Sequence, residues 1–102
     1  MTEYNIAPLT GRLRREQIKT RSVLEALRLC ATWNTVQTTR FQRLRIRLGR
    51  INAAMQRIEA SSYGICVSCN CNISWRRLVM LPFVERCFAC QVNDEARLEE
   101  QL

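Results

Sequence analysis

The stretch 63-YGICVSCNCNISWRRLVMLPFVERCFACQ-91 holds five of the chain's six cysteines. Four of them form two Cys-x2-Cys pairs, Cys66/Cys69 and Cys87/Cys90, with 17 residues between the pairs. A Cys-x2-Cys turn lets two thiolates reach one ion, and two such turns complete a tetrahedral four-sulfur shell. The spacing therefore reads as one structural Zn2+ that stabilises a segment too small to fold on its own core. Four thiolates leave no open coordination position, so these sulfurs are expected to hold structure rather than to react. An iron–sulfur cluster accepts the same four ligands, and a pair of redox dithiols is the other alternative. The βαβ context of a thioredoxin-like dithiol is missing. Two cysteines are left over. Cys71 could compete as a ligand only by abandoning the symmetric pairing, and Cys30 reads as a small, partly buried residue.

The remaining chain is short and basic. Its 102 residues fit one domain, with limited capacity to bury a core. No signal-like apolar run follows the first basic residues, and no stretch approaches the roughly 20 apolar residues of a membrane span. A soluble, cytoplasmic protein is expected, where paired cysteines hold metal rather than disulfides. Residues 1–60 carry twelve Lys/Arg against four Asp/Glu, a balance of +8, whereas residues 61–102 carry four against five. All basic residues except Lys19 are arginine, which suits bidentate contact with carboxylate or phosphate. There is no histidine, and no Ser/His, Cys/His, glycine-rich phosphate loop or paired-carboxylate signature occurs. No enzyme is expected.

In front of the cysteines the sequence reads as a helical hairpin. Residues 1–9 read as a flexible leader, with Thr10 and Gly11 opening the first helix. Leu13, Leu24, Leu27 and Ala31 share one face of residues 12–31, and the capping-box pattern Ser22 to Glu25 marks a candidate break near residue 21. The stretch 32-TWNTVQTT-39 reads as the turn, because Thr and Asn favour caps over helix interiors. Phe41, Leu44, Leu48, Ile51, Met55 and Ile58 then step by 3 and 4, a heptad seam that must bury itself against another helix. The first helix is the expected partner, and self-dimerisation through the seam is the alternative. Arg40 and Arg47 occupy g positions and Arg43, Arg50 and Arg57 occupy c positions, so one flank of the second helix is lined with arginine. Arg45 sits on its other side. The helix is expected to end near residues 60–64, with Gly64 supplying a left-handed turn. The expected organisation is a hairpin over 10–60, a four-Cys finger over 61–91 and a short acidic helix over 92–102, capped by Asn93 or Asp94 with Ala96, Leu98 and Leu102 as its apolar content. The fold class is mainly α.

With both cysteine pairs placed, the run Ile58, Tyr63-Gly64-Ile65-Cys66, Cys69, Ile73, Arg76-Arg77-Leu78, Pro82, Cys87, Cys90-Gln91 resembles the DksA/TraR C4-type zinc finger. The resemblance covers residues 50–91 and extends weakly to the C-terminal helix. It implies a transcription regulator that binds RNA polymerase directly, inserting its hairpin into the secondary channel while the finger braces the hairpin's base. Some members act with ppGpp. Carried over residue by residue, it assigns Arg43 to the polymerase rim, Arg50 to a position near the alarmone, and Arg77 to the RRL motif. With the g-position arginines, the candidate partner surface is Arg40, Arg43, Arg47, Arg50 and Arg77. Departures are local. Leu81 and Gln91 stand where longer members place basic residues that help hold ppGpp, which argues against strong alarmone binding. The two aspartates of the family's hairpin tip correspond to Val23 and Ala26 in the longer members' register, or to Thr32 and Thr35 in the shorter, and neither gives an acid. Asn70 replaces the glycine after the second cysteine, a milder change, since Asn tolerates left-handed geometry. The expected state is a monomer. The competing readings are a nucleic-acid-binding zinc protein that uses the arginine flank, possible through direct DNA contact, and a zinc-stabilised dimerisation module.

Overall fold

The computed structural model describes residues 5–30 and 33–101, the last in backbone only. Four helices follow in order: α1 (Ala7–Arg28), α2 (Thr35–Glu59), α3 (Trp75–Met80) and α4 (Phe88–Gln101). Among the described residues the only β pairing is an isolated antiparallel bridge between Ile65 and Asn72.

α1 and α2 pack as the expected antiparallel hairpin. Gln17 donates to Asn52 at 2.7 Å across the middle, while Gln37 donates to the Cys30 sulfur at 3.3 Å near the turn. On α1 the buried residues are Leu9, Leu13, Thr20, Leu24 and Leu27, which recur at helical spacing. On α2, Ile51 and Ala54 are fully buried, and Phe41, Leu44, Leu48, Met55 and Ile58 are half-buried. The seam thus finds its partner inside the chain, with the Gln17–Asn52 bond as a polar layer that pins the register.

The element ends differ from the sequence expectations for local reasons. α1 begins at Ala7, three residues before Thr10, because Pro8 is accepted in a first helical turn where its missing N–H has no partner to lose. The Asn5 side chain accepts from the Ala7 N–H at 3.2 Å. No break occurs at residue 21, and Ser22 is an exposed residue inside a continuous helix. Ala31 and Thr32 lie outside the described residues, as does Leu102. α2 starts inside the Thr-rich stretch, since the Asn34 side chain caps the Gln37 N–H at 3.0 Å. Thr38 and Thr39 then return their hydroxyls to the carbonyls of Asn34 and Thr35 and stay helical. α2 ends at Glu59, and Ser61, with φ 60°, takes the left-handed position. The Ser62 N–H reaches Arg57 O at 2.8 Å and the Ser61 N–H reaches Ile58 O at 3.2 Å, which is a Schellman closure. Gly64 is left-handed as well, at φ 83°, but it serves the entry to the finger rather than the helix end.

The core joins the base of the hairpin to the finger. Leu9, Leu13, Ile51, Ala54, Tyr63, Cys66, Ile73 and Leu78 form one buried cluster, flanked by Ile58, Phe83, Val84, Cys87 and Cys90. Tyr63 is buried and donates its hydroxyl to Pro82 O at 2.8 Å. Burial pushes its phenol up to about 12, against the opposing pull of Arg57 and Arg12. Arg12 of α1 donates to Val79 O on α3, so the first helix is also tied to the finger.

Candidate metal centre and partner surface

The sulfurs of Cys66, Cys69, Cys87 and Cys90 lie within 4.8 Å of one another. Local backbone geometry explains the convergence. After Cys66 the chain turns through Val67, Ser68 and Cys69, and Asn70, left-handed at φ 62°, returns its N–H to Cys66 O at 2.9 Å. The Cys66 N–H reaches Cys71 O at 2.8 Å, and Ile73 N–H reaches Gly64 O at 2.7 Å, closing a small loop around the first pair. The second pair is the opening turn of α4: Cys87 precedes Phe88 and its carbonyl accepts from the Gln91 N–H at 3.0 Å. α4 therefore starts at Phe88 rather than residue 92, and Asn93 and Asp94 are interior residues, not caps. A hydrogen bond from Val67 N–H to Glu85 O at 2.9 Å stitches the two pairs together.

The tetrad passes a geometric test for a metal shell. A zinc–sulfur tetrahedron with bonds of about 2.3 Å has edges of about 3.8 Å, and the Cys69 and Cys87 sulfurs are 3.7 Å apart. That distance is far too long for a disulfide, which needs about 2.05 Å. Cys66 is fully buried and Cys69 is exposed, so the site lies at the edge of the core. Burial pushes the Cys66 thiol up, but hydrogen bonds from the Cys87, Cys69 and Ser68 backbone and from the Cys69 side chain outweigh it and bring the thiol to about 6. The Cys90 thiol is pushed up to about 12, first by its hydrogen bonds to Cys87, Cys66 and Cys69. A divalent cation would take the place of those sulfur–sulfur hydrogen bonds and displace the proton they hold. Cys71 is exposed and lies outside the sulfur group; its contribution to the loop is its backbone carbonyl.

The arginines separate into two sets. Arg40, Arg43 and Arg50 are exposed on α2 and have no ion-pair partner among the described residues. Arg47 is exposed but held: it pairs with Glu16 of α1 at 3.2 Å and lies over the Phe83 ring at 5.8 Å. The long-range partner of Arg47 was invisible in the sequence, where the flank looked unpartnered. Arg50 and Arg77 both line a cleft of about 460 Å³ between α2 and the finger. Leu81 and Gln91, which stand at the positions the resemblance assigns to basic residues, line the same cleft. The Arg77 Nε donates to Arg86 O at 3.1 Å. Arg40 and Arg43 are not part of this cleft.

Two arginines that sequence reasoning did not assign to the site organise it. Arg57 has only 14% of its side chain exposed and pairs with Glu85 at 3.7 Å. Burial lowers its pKa, while Glu85 and Tyr63 oppose the shift. Arg86 binds Asp94 at 2.9 Å and Glu85 at 3.0 Å, linking the finger to α4. The isolated acid Glu85, midway between Pro82 and Cys87, was the available signal. At the turn end of the hairpin, α1 stops at Arg28 and α2 starts at Thr35, so Val23 and Ala26 lie within α1 and Thr35 opens α2. Exposed Leu29, Val36 and Trp33 surround that turn, with Trp33 edge-on to Phe41 at 5.3 Å.

Comparison with known proteins agrees with this architecture. No family model matches the chain, and no curated protein does. Among solved structures, the transcription factor DksA2 of Pseudomonas aeruginosa superposes with a TM-score of 0.72 at 20% identity, covering 89% of this chain and 83% of that one. The RNA polymerase binding protein and transcriptional regulator Dks of Chlamydia trachomatis L2 superposes with a TM-score of 0.64 at 24% identity, covering 96% and 95%. The chain thus has a DksA-type fold: a helical hairpin on a four-cysteine base.

Proposed function

We propose that this chain is a transcription regulator that binds RNA polymerase directly, its hairpin entering the secondary channel, with one structural Zn2+ held by Cys66, Cys69, Cys87 and Cys90. One observation carries the reading. A hairpin with an exposed arginine flank stands on a closed four-sulfur base, in the fold shared with two transcription factors, one of them described as RNA polymerase binding. The four sulfurs of one tetrahedron leave no position for a substrate, so the metal's role is to hold the base, and the chain is read as a regulator rather than an enzyme. Zinc suits four thiolates and a closed shell. Arg43 and Arg40 on the shaft, with Arg50 and Arg77 at the base, are the residues assigned to carboxylates of the partner; Arg47 serves first to fasten α1 and Phe83. No helix among the described residues is long and apolar enough to cross a membrane. The protein acts as a cytoplasmic monomer, and leucine and glutamine at positions 81 and 91 leave ppGpp without two of its basic partners.

Transcription by purified polymerase with the zinc-loaded protein, with and without ppGpp, tests this reading. Wild type is expected to alter promoter output, with little further change on adding ppGpp, and Arg43→Ala is expected to lose the effect. Absence of polymerase binding at moderate salt overturns it. A second reading, binding to single-stranded nucleic acid, is favoured by the exposed Trp33 beside Phe41, with Arg45 over the Phe41 ring at 5.9 Å. Binding to an oligonucleotide that falls steeply with salt, in the absence of polymerase binding, would select it.

A further inference from the structure

α4 leaves the finger with little to rest on. Only Cys90, Gln91 and Asp94 among its described side chains are part-buried, and every residue from Glu95 to Glu100 is exposed. Its ion pair to the rest of the chain, Asp94 to Arg86 at 2.9 Å, lies at its middle. A 14-residue helix is marginal without an amphipathic face packed on something else. Phe88, Val92, Glu95 and Glu99 step by 4, 3 and 4 and share one face. The first three line the cleft of about 460 Å³ beside α2, and Phe88 is 70% exposed.

The cleft holds both signs of charge without joining them. Arg50 on α2 and Arg77 on α3 line it with no carboxylate partner among the described residues, whereas Arg57 and Arg86 are taken by Glu85. Glu95 lines it too, and accepts a hydrogen bond from Gln91 at 3.1 Å rather than from either arginine. Glu99, one turn further along α4, has no ion pair among the described residues. A purely acidic partner would answer the arginines and repel α4, and a basic one would do the reverse. A surface carrying the same two sets answers both at once, and a second copy of this chain has it.

We infer that this face is a homodimer interface with two-fold symmetry. α4 of each copy lies along the cleft of the other. Its Glu95 and Glu99 meet the arginines at positions 50 and 77 there, and the exposed side chains of Leu81, Phe88 and Val92 are covered. Resting on the polymerase reading above, the dimer is the silent form. It covers two of the arginines assigned to the polymerase, and the monomer acts.

Sedimentation of the full-length, zinc-loaded chain from micromolar to millimolar concentration, without polymerase, tests the interface. Wild type is expected to pass from monomer to dimer, with a Kd that rises as salt screens the pairs. Arg50→Glu and Glu99→Arg each place like charges together. Each is expected to weaken self-association about tenfold or more, with thermal melts close to wild type. Mixed, the two variants restore opposite charges in both pairs and are expected to form a heterodimer of near wild-type affinity. A wild type that stays monomeric throughout, a dimer that neither reversal weakens, or a mixture that restores nothing overturns the interface and leaves the polymerase reading standing. A second arm measures binding to purified RNA polymerase at concentrations where wild type is dimeric. Glu99→Arg is expected to bind better than wild type there, and equal binding overturns the silent dimer. No binding by either overturns the polymerase reading and leaves the interface standing.

Discussion

The two ends of the hairpin are built on opposite principles. At the base, Leu13, Ile51, Ile73, Leu78 and Cys66 are fully buried, Arg12 and Arg57 fasten helix to finger through carbonyls and Glu85, and Tyr63 ties the finger to itself through Pro82 O. At the turn, Leu29 is 77% and Val36 is 74% exposed, and the described bonds are helix-start bonds within one turn of α2 plus the Gln37–Cys30 contact across the hairpin. A small chain cannot spread its stability evenly. Here it is concentrated at the four-sulfur end, which leaves the far end free to present apolar side chains that no other described residue covers. The contrast implies that substitutions at the base are read as stability and substitutions at the turn are read as partner binding.

The largest expected effect tests the base. Replacing Cys87 by Ser, or stripping the metal with a chelator, should unfold the finger, because apparent binding energies for structural zinc are on the order of 10 kcal/mol. Metal content and thermal melts check this, and a chain that melts identically without metal would break the comparison. Next, Ile51→Ala removes a fully buried side chain where hairpin and finger meet. A loss of about 2–5 kcal/mol in denaturant unfolding is expected. Tyr63→Phe should cost about 1–3 kcal/mol, since it deletes the donor to a buried carbonyl. This pair also carries a pH signature. The folded phenol lies at about 12, above its ordinary value of 10.0. Its contribution is complete below pH 10 and is lost as pH rises toward 12, so wild type should lose stability over that window and Tyr63→Phe should lose less. The smallest effect sharpens the other side of the comparison: Val36→Ser at the turn should change stability by no more than about 0.5 kcal/mol, while weakening polymerase binding.

Much of the base could be read from the sequence, because its determinants are local. The cysteine spacing gave the tetrad, and Gly64 and Asn70 proved to be left-handed, as their chemistry suggested. The hairpin seam was legible from its 3- and 4-residue steps. What was not legible depended on competition or on distance. The threonines at 35, 38 and 39 looked like a turn, yet one capping Asn34 made them a helix start. Pro8 looked like the end of a leader and is part of a first helical turn. Ser61, rather than Gly64, closes α2, because two backbone bonds outweigh the cost of a left-handed serine. The partners of Arg47 and Arg57 lie 31 and 28 residues away in sequence, on other elements, and no local pattern announces them. The Arg flank therefore reads more accurately as two jobs: Arg47 and Arg57 fasten the molecule, and Arg40, Arg43 and Arg50 face outward.

Entry of the hairpin tip into the polymerase's secondary channel, proposed above, can be located directly. A photo-crosslinking amino acid placed at Val36, which projects from the start of α2, reads the location directly when the zinc-loaded protein is mixed with purified RNA polymerase and illuminated. Crosslinks to the polymerase's catalytic subunits on the inner walls of the channel are expected. Crosslinks confined to the outer surface of the enzyme, or to DNA alone, would contradict it.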